Sequence, residues 1–307
     1  MSSSLLSKKA KSMQGAEALK QGVAGCIGVL EAIEPVAKIN AAQEAVRIIE
    51  AITPPSKGPA APDRIPASTH ILPTPPLRPG RPRRPLLVHP TKLPRRRLGS
   101  VEGRAALMHA IAHIEFNAID LAFDMAARFL PQIMALDLDG WQFLQDWVAI
   151  GGEEALHFGL VTDRLAQMGV EYGDLPAHDG LWEAAENTND EVLARLAIAP
   201  MVLEARGLDV TPAMIASLAK NDDHESAAIL QRIYDDEIGH VAAGSRWFKQ
   251  VCGATKNQPA QTFQDFVKTR FHGGLKEPFN HAARKKAGIE LAFYQSWMVD
   301  FSSDESN

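Results

Sequence analysis

Two stretches of this chain pair a carboxylate with an imidazole at a spacing that suits metal ligation. The first is Gly151-Gly-Glu-Glu154-Ala-Leu-His157, and the second, some eighty residues later, is Asp236-Glu237-Ile-Gly-His240. Each reads as Glu-x-x-His inside a long helix, where residues three apart share one face. A carboxylate oxygen and an imidazole nitrogen can then reach one ion from a single rigid element. Each motif follows another apolar helical stretch with its own glutamate, Glu115 before the first and Glu204 before the second. One Glu from each of two helices, with Glu-x-x-His from each of two others, is the ligand pattern of di-iron and di-manganese helical bundles.

Glu115, Glu154, His157, Glu204, Glu237 and His240 supply four carboxylates and two imidazoles. Four carboxylates balance two divalent cations, which removes the large cost of uncompensated charge inside an apolar bundle. Oxygen with imidazole ligation suits iron or manganese, while thiolates are missing from the set. Glu154 and Glu237 are the candidates for bridging ligands, with Glu115 and Glu204 terminal. Taken singly, a helical glutamate is usually solvent-facing and a lone histidine is usually a satisfied core residue; the doubled pattern favours metal. Glu153 rivals Glu154, because it lies four residues before His157 and shares a face with it. Glu153 and Asp236 either hydrogen-bond a ligating imidazole from outside or are ordinary exposed acids. His109 and His113 read as structural, since His113 is two residues from Glu115 and cannot share its direction. Tyr234 is a candidate redox phenol, with packing or hydrogen bonding as the more ordinary role.

These residues need long helices to position them. Ser100 is a suitable N-cap, opening a helix that is expected to end before Pro131. A second runs from about Asp139 to Met168, and Gly151-Gly152 in its middle predicts a bulge or a close approach of a neighbour. Thr188-Asn-Asp-Glu191 reads as a capping box for a third helix, Asp190 to about Gly207, kinked at Pro200. Thr211-Pro212 should open a short helix to Lys220, and Asn221-Asp-Asp caps a fourth long one, Asp222 to Cys252. Two tail helices are expected, Gln261 to Phe271 and Asn280 to Met298. The long connection 169–188 falls where a ferritin-like bundle has its crossover. The expectation is an all-α fold with a ferritin-like four-helix bundle over 100–255, an N-terminal helical segment (1–53, two amphipathic helices broken at Pro35), a linker (54–99) and a C-terminal helical extension (256–307).

Composition sets the outer bounds. Of 307 residues, 46% are hydrophobic and the formal net charge is −5, which fits a globular protein with an ample core. Two cysteines, Cys26 and Cys252, are too few for a disulfide framework and point to a reducing compartment. No secretory leader and no run of about 20 apolar residues is visible, so a cytoplasmic protein without a membrane partner is expected. Thirteen of the twenty prolines fall in residues 54–94, which excludes helix or central strand there. Arg78 to Arg97 contains seven arginines, one lysine and no acid. Such a segment either contacts nucleic acid or lies as a strap paired to surface carboxylates; it carries no aromatic residues for base stacking, which favours the strap. Residues 54–94 show no apolar period, so the proline-rich segment is expected to be dispensable for folding of the bundle.

Several stretches resemble an uncharacterised bacterial family of ferritin-like proteins classed as a domain of unknown function. They are Pro94-Arg-Arg-Arg-Leu-Gly-Ser100, Ala112-His-Ile-Glu115-Phe-Asn-Ala-Ile-Asp-Leu121, Glu153-Glu154-Ala-Leu-His157-Phe, Asp235-Asp-Glu-Ile-Gly-His240 and Pro278-Phe-Asn-His281-Ala-Ala-Arg284. The resemblance covers most of residues 85–296 and implies a ferritin-like core with the six ligands named; it supplies no reaction. A more distant similarity is to the di-iron tRNA hydroxylases, which share the fold and ligand order but not the proline-rich segment or the C-terminal helices. Three functions follow as expectations. The first is an oxygen-activating di-metal oxidoreductase or hydroxylase, with dioxygen and an unknown substrate, tRNA among the candidates. The second is a non-enzymatic iron or manganese binder in storage or peroxide defence. The third is a structural bundle that recruits a partner through its basic strap.

Overall fold

The computed structural model describes residues 2–52, 72–93, 98–271 and 274–298, with side chains from residue 15 onward. The fold is all-α. Among the described residues the one extended pairing is an isolated bridge between Leu87 and Ala177. The chain forms two compact units, Met1–Trp182 and Glu183–Asn307. No described helix is long and apolar enough to cross a membrane.

The first unit consists of α1 (Ser2–Glu31), α2 (Pro35–Ala51), α3 (Val101–Ala135) and α4 (Gly140–Gln167). Pro35 stands at the first turn of α2, where its missing N–H costs nothing. Ser100 caps α3 by accepting from the Gly103 amide at 3.0 Å, and Asp139 caps α4 through the Gln142 amide at 3.0 Å. Contrary to expectation, α3 continues through Pro131 to Ala135. Pro131 lies one turn from the end, so a single ladder bond is forgone while Leu136 closes the turn onto Gln132 and Ile133. The four-residue turn, with Asp137 at φ 61°, returns α4 antiparallel along α3.

Gly151 and Gly152 do not bulge; α4 is regular across them. A Cβ on Gly151 would stand 2.5 Å from Phe123 of α3, and one on Gly152 would stand 2.7 Å from Val46 of α2. The two glycines therefore let α4 approach a neighbour on each side, just before Glu154.

The proline-rich segment is held down where it is described. Gly80 donates its amide to the Leu30 carbonyl at 2.6 Å, and a Cβ there would meet the Glu31 carbonyl at 2.7 Å. Val88 and Ala177 exchange backbone bonds with residues 177 and 86 respectively, at 2.8 and 3.0 Å. Arg81 donates to Asn117 at 2.7 Å, pairs with buried Asp120 at 3.4 Å and lies over the Phe116 and Trp182 rings. Arg78 reaches Asp179 at 3.2 Å, and Arg128 of α3 donates to the Pro76 carbonyl at 2.6 Å. Residues 72–88 are thus docked on the first unit as a strap, which counts against the expectation that residues 54–94 are dispensable for folding. What docks it is backbone hydrogen bonding and arginine pairing, neither of which leaves an apolar period in sequence. Arg95, Arg96 and Arg97 lie outside the described residues.

Helix α5 (Gly180–Glu186) crosses the division between the units. The second unit then holds α6 (Val192–Ile198), a π-helical segment (Ala199–Glu204), α7 (Ala205–Lys220), α8 (His224–Thr255), α9 (Pro259–Arg270), α10 (His281–Lys286) and α11 (Leu291–Tyr294). The capping box does not form. The Thr188 hydroxyl instead donates to the Ala184 carbonyl at 2.8 Å and accepts from the buried Arg195 side chain at 2.9 Å. The kink at Pro200 is a π-turn, whose wider ring tolerates the missing N–H. Helix α7 does not stop at Gly207 but runs through Pro212. The Leu208 carbonyl, which Pro212 cannot reach with an N–H, accepts from the Asn280 side chain at 3.1 Å instead. Asp223 caps α8 through the Ser226 amide at 3.1 Å. The last expected helix is broken at Gly288 (φ 75°), whose carbonyl accepts from Lys249 at 2.6 Å and Ser245 at 2.8 Å.

Candidate metal centre

Within the first unit, α3 and α4 bring Glu115, Glu154 and His157 together. Helix α3 packs Ile111, Ala112, Ala118 and Ile119 into the core around Glu115, so the carboxylate is carried inside by its neighbours. The three side chains are 3%, 1% and 0% exposed in that order. His157 Nδ1 lies 3.4 Å from Glu115 Oε2 and 3.5 Å from Glu154 Oε2. Donor atoms of the three fall within 4.8 Å of one another. Glu153 is exposed, so of the two adjacent glutamates Glu154 is the one aimed inward.

Burial alone lowers the basicity of the His157 imidazole, but hydrogen bonds to Glu115 and Glu154 and their charges outweigh it and hold its pKa at about 11. Two buried carboxylates converging on one nitrogen call for positive charge. A proton on the imidazole supplies one unit, and a divalent cation bound to the same oxygens would supply two and leave the imidazole neutral. Two carboxylates and an imidazole, with no thiolate, are donors that fit iron or manganese. The cluster could hold a metal ion.

The second unit carries the other half of the candidate set. On α8, His240 is 1% exposed and its Nδ1 lies 3.7 Å from Oε1 of half-buried Glu237. Glu204 is the last residue of the π-helical segment. That segment packs on α8, where Gly244 sits one turn beyond His240 and would, with a Cβ, come within 2.4 Å of Pro200. Gly244 thus admits the segment bearing Glu204 to the face of α8 that bears His240. π-Turns often mark functional sites, because the extra residue re-aims the side chains that follow.

The remaining candidates have other partners. Asp236 accepts from Arg232 at 2.6 Å, one turn back. The Tyr234 hydroxyl accepts from Asn280 at 3.1 Å. His109 Nε2 accepts from the Gly173 amide at 2.9 Å, and His113 contacts the Tyr172 hydroxyl at 2.9 Å and the His178 carbonyl at 3.1 Å. Both histidines pin the 169–178 connection to α3. Sequence reading missed one feature beside the site, the buried pair Lys38–Asp120. Lys38 Nζ donates to Asp120 at 2.5 Å and to the Val29 carbonyl at 3.0 Å, both side chains being fully buried. The visible signal was an aspartate at position 120 in the most apolar part of α3 and a lysine among the apolar residues of α2.

A family model described as a protein of unknown function, DUF455, matches residues 32–295. An uncharacterised protein of Haemophilus influenzae is 46% identical over 167 residues, 54% of this chain and 58% of that protein. This chain therefore covers less than two thirds of that relative's length. No solved structure matches.

Proposed function

The chain belongs to the DUF455 family of proteins of unknown function, and from that premise we propose a ferritin-like di-metal carboxylate protein that activates dioxygen. The observation that supports this best is the buried convergence of Glu115, Glu154 and His157, whose donors suit iron or manganese. The second Glu-x-x-His, with its pair in contact on α8 and Glu204 on the packed π-segment, repeats the pattern. In this reading Glu115, Glu154, His157, Glu204, Glu237 and His240 would hold the ions. Two ions so held would supply redox chemistry toward dioxygen when bound. The four carboxylates balance their charge. With metal bound, His157 and His240 would offer neutral nitrogens, fixed in direction by helices that carry a glutamate three residues before each. Burial of Glu115, Glu154 and His157 themselves, 3%, 1% and 0% exposed, keeps bulk water from the first half of the site.

The test is to load the purified protein anaerobically with ferrous iron, admit oxygen and follow the optical spectrum. New absorption bands are expected for wild type and are expected to be absent in Glu154→Ala and His240→Ala. Bands of equal strength in all three proteins would contradict the reading.

A further inference from the structure

The second unit contains a cavity of about 190 Å³ whose chemistry the metal reading does not use. Its apolar walls include Val202, Leu203, Leu275 and Phe279, and its basic groups include Arg206 and Arg284. Arg284 is 1% exposed and rigidly placed. Its Nε and Nη2 grip Asp209 at 2.9 and 2.7 Å, and its guanidinium lies over the Phe279 and Tyr294 rings, 5.0 and 4.9 Å from their centroids. Nη1 is buried and has no hydrogen-bond partner. A buried guanidinium nitrogen with two unsatisfied N–H groups costs free energy unless something accepts from it. Arg206 stands on the same wall, donating to the Lys276 and Pro278 carbonyls at 2.7 and 3.1 Å.

We propose that this cavity binds a small carboxylic acid, its carboxylate accepting from Arg284 Nη1 and its hydrocarbon body lying against Val202, Leu203 and Leu275. Asp209 neutralises one unit of charge, and Arg206 leaves the site cationic overall. The two arginines and Asp209 sum to one positive charge, which matches the single negative charge of a carboxylate better than the nearly two of a phosphate monoester. The volume lies below the roughly 300–1,000 Å³ usual for drug-sized ligands, which favours a short acid over a nucleotide. Val202 and Leu203 belong to the π-segment that ends at Glu204, so the acid rests on the element that carries a proposed metal ligand. The inference itself stands on the second unit alone and needs no metal.

The experiment is calorimetric titration of the full chain with benzoate, phenyl phosphate and neutral benzamide. It is run on protein as purified and again after chelator treatment. Benzoate is expected to bind at least 10-fold more tightly than either other probe, equally in both preparations. Leu203→Trp, which fills the cavity from its half-buried rim and leaves Arg284 intact, is expected to weaken benzoate at least 10-fold with an unchanged circular dichroism spectrum. Arg284→Lys is expected to do the same while keeping a cation for Asp209. Equal binding of benzamide, tighter binding of phenyl phosphate or an unaffected Leu203→Trp would each overturn the proposal. So would loss of benzoate binding on chelation, which would put the probe on a metal instead. Failure of the metal reading with benzoate binding intact would leave this pocket standing.

Discussion

Lys38 and Asp120 show how the first unit carries charge in its core. Both side chains are wholly buried, and burial pushes the lysine's pKa down and the aspartate's up, with each partner's charge opposing the shift. Such a pair is weak evidence of net stabilisation, but removing one member leaves the other stranded in a low-dielectric interior. Lys38→Met leaves Asp120 with Arg81 alone, at 3.4 Å. The expected cost is about 3–5 kcal/mol, read as a lower denaturation midpoint. An unchanged midpoint would show that Arg81 suffices. The same logic applies to Glu115 and Glu154, two more buried acids, one on the helix that carries Asp120 and one on α4. Their shared neighbour is an imidazole, which is a ligand as well as a base.

At the scale of helices, small residues decide how near the ligand-bearing elements come. Gly151→Ala gains about 1 kcal/mol of helix propensity but drives a methyl into the Phe123 ring at 2.5 Å. Overpacking typically costs about 1–3 kcal/mol, so the variant is expected to be destabilised and to hold less metal, as seen by melting and metal content. A melting temperature above that of wild type would show that the approach of α3 to α4 is looser than described. The starts of α3, α4 and α8 were legible in sequence, Ser100 and the Asn221-Asp-Asp run as caps and Asp139 as a start, and Ser100, Asp139 and Asp223 each satisfy an amide three residues on. So were the two inward-facing motif triplets. The continuation of α3 through Pro131 was not legible, nor was the joining of the Gly207 end to the Thr211-Pro212 start in one helix, where the Leu208 carbonyl is satisfied by Asn280, 72 residues on. The π-turn was legible only as a kink. The strap was legible as arginines paired to carboxylates, but not its backbone anchors, because carbonyls and single amides leave no periodic signature.

For the whole molecule, each unit carries one buried cysteine, Cys26 in the first and Cys252 in the second. Burial raises both thiols' pKa values, Cys252 to about 11, so both are expected to resist alkylation in the native protein. If one metal centre draws ligands from both units, added ferrous iron should protect both thiols at the same denaturant concentrations. Protection of Cys26 alone would confine the metal to Glu115, Glu154 and His157. The central claim, that six side chains hold two ions, is tested most directly by elemental analysis of the purified chain. About two ions of iron or manganese per chain are expected for wild type and for Glu153→Gln, whose side chain is exposed. His157→Ala and His240→Ala should each lose most of that metal, whereas full metal content in both histidine variants would contradict the account.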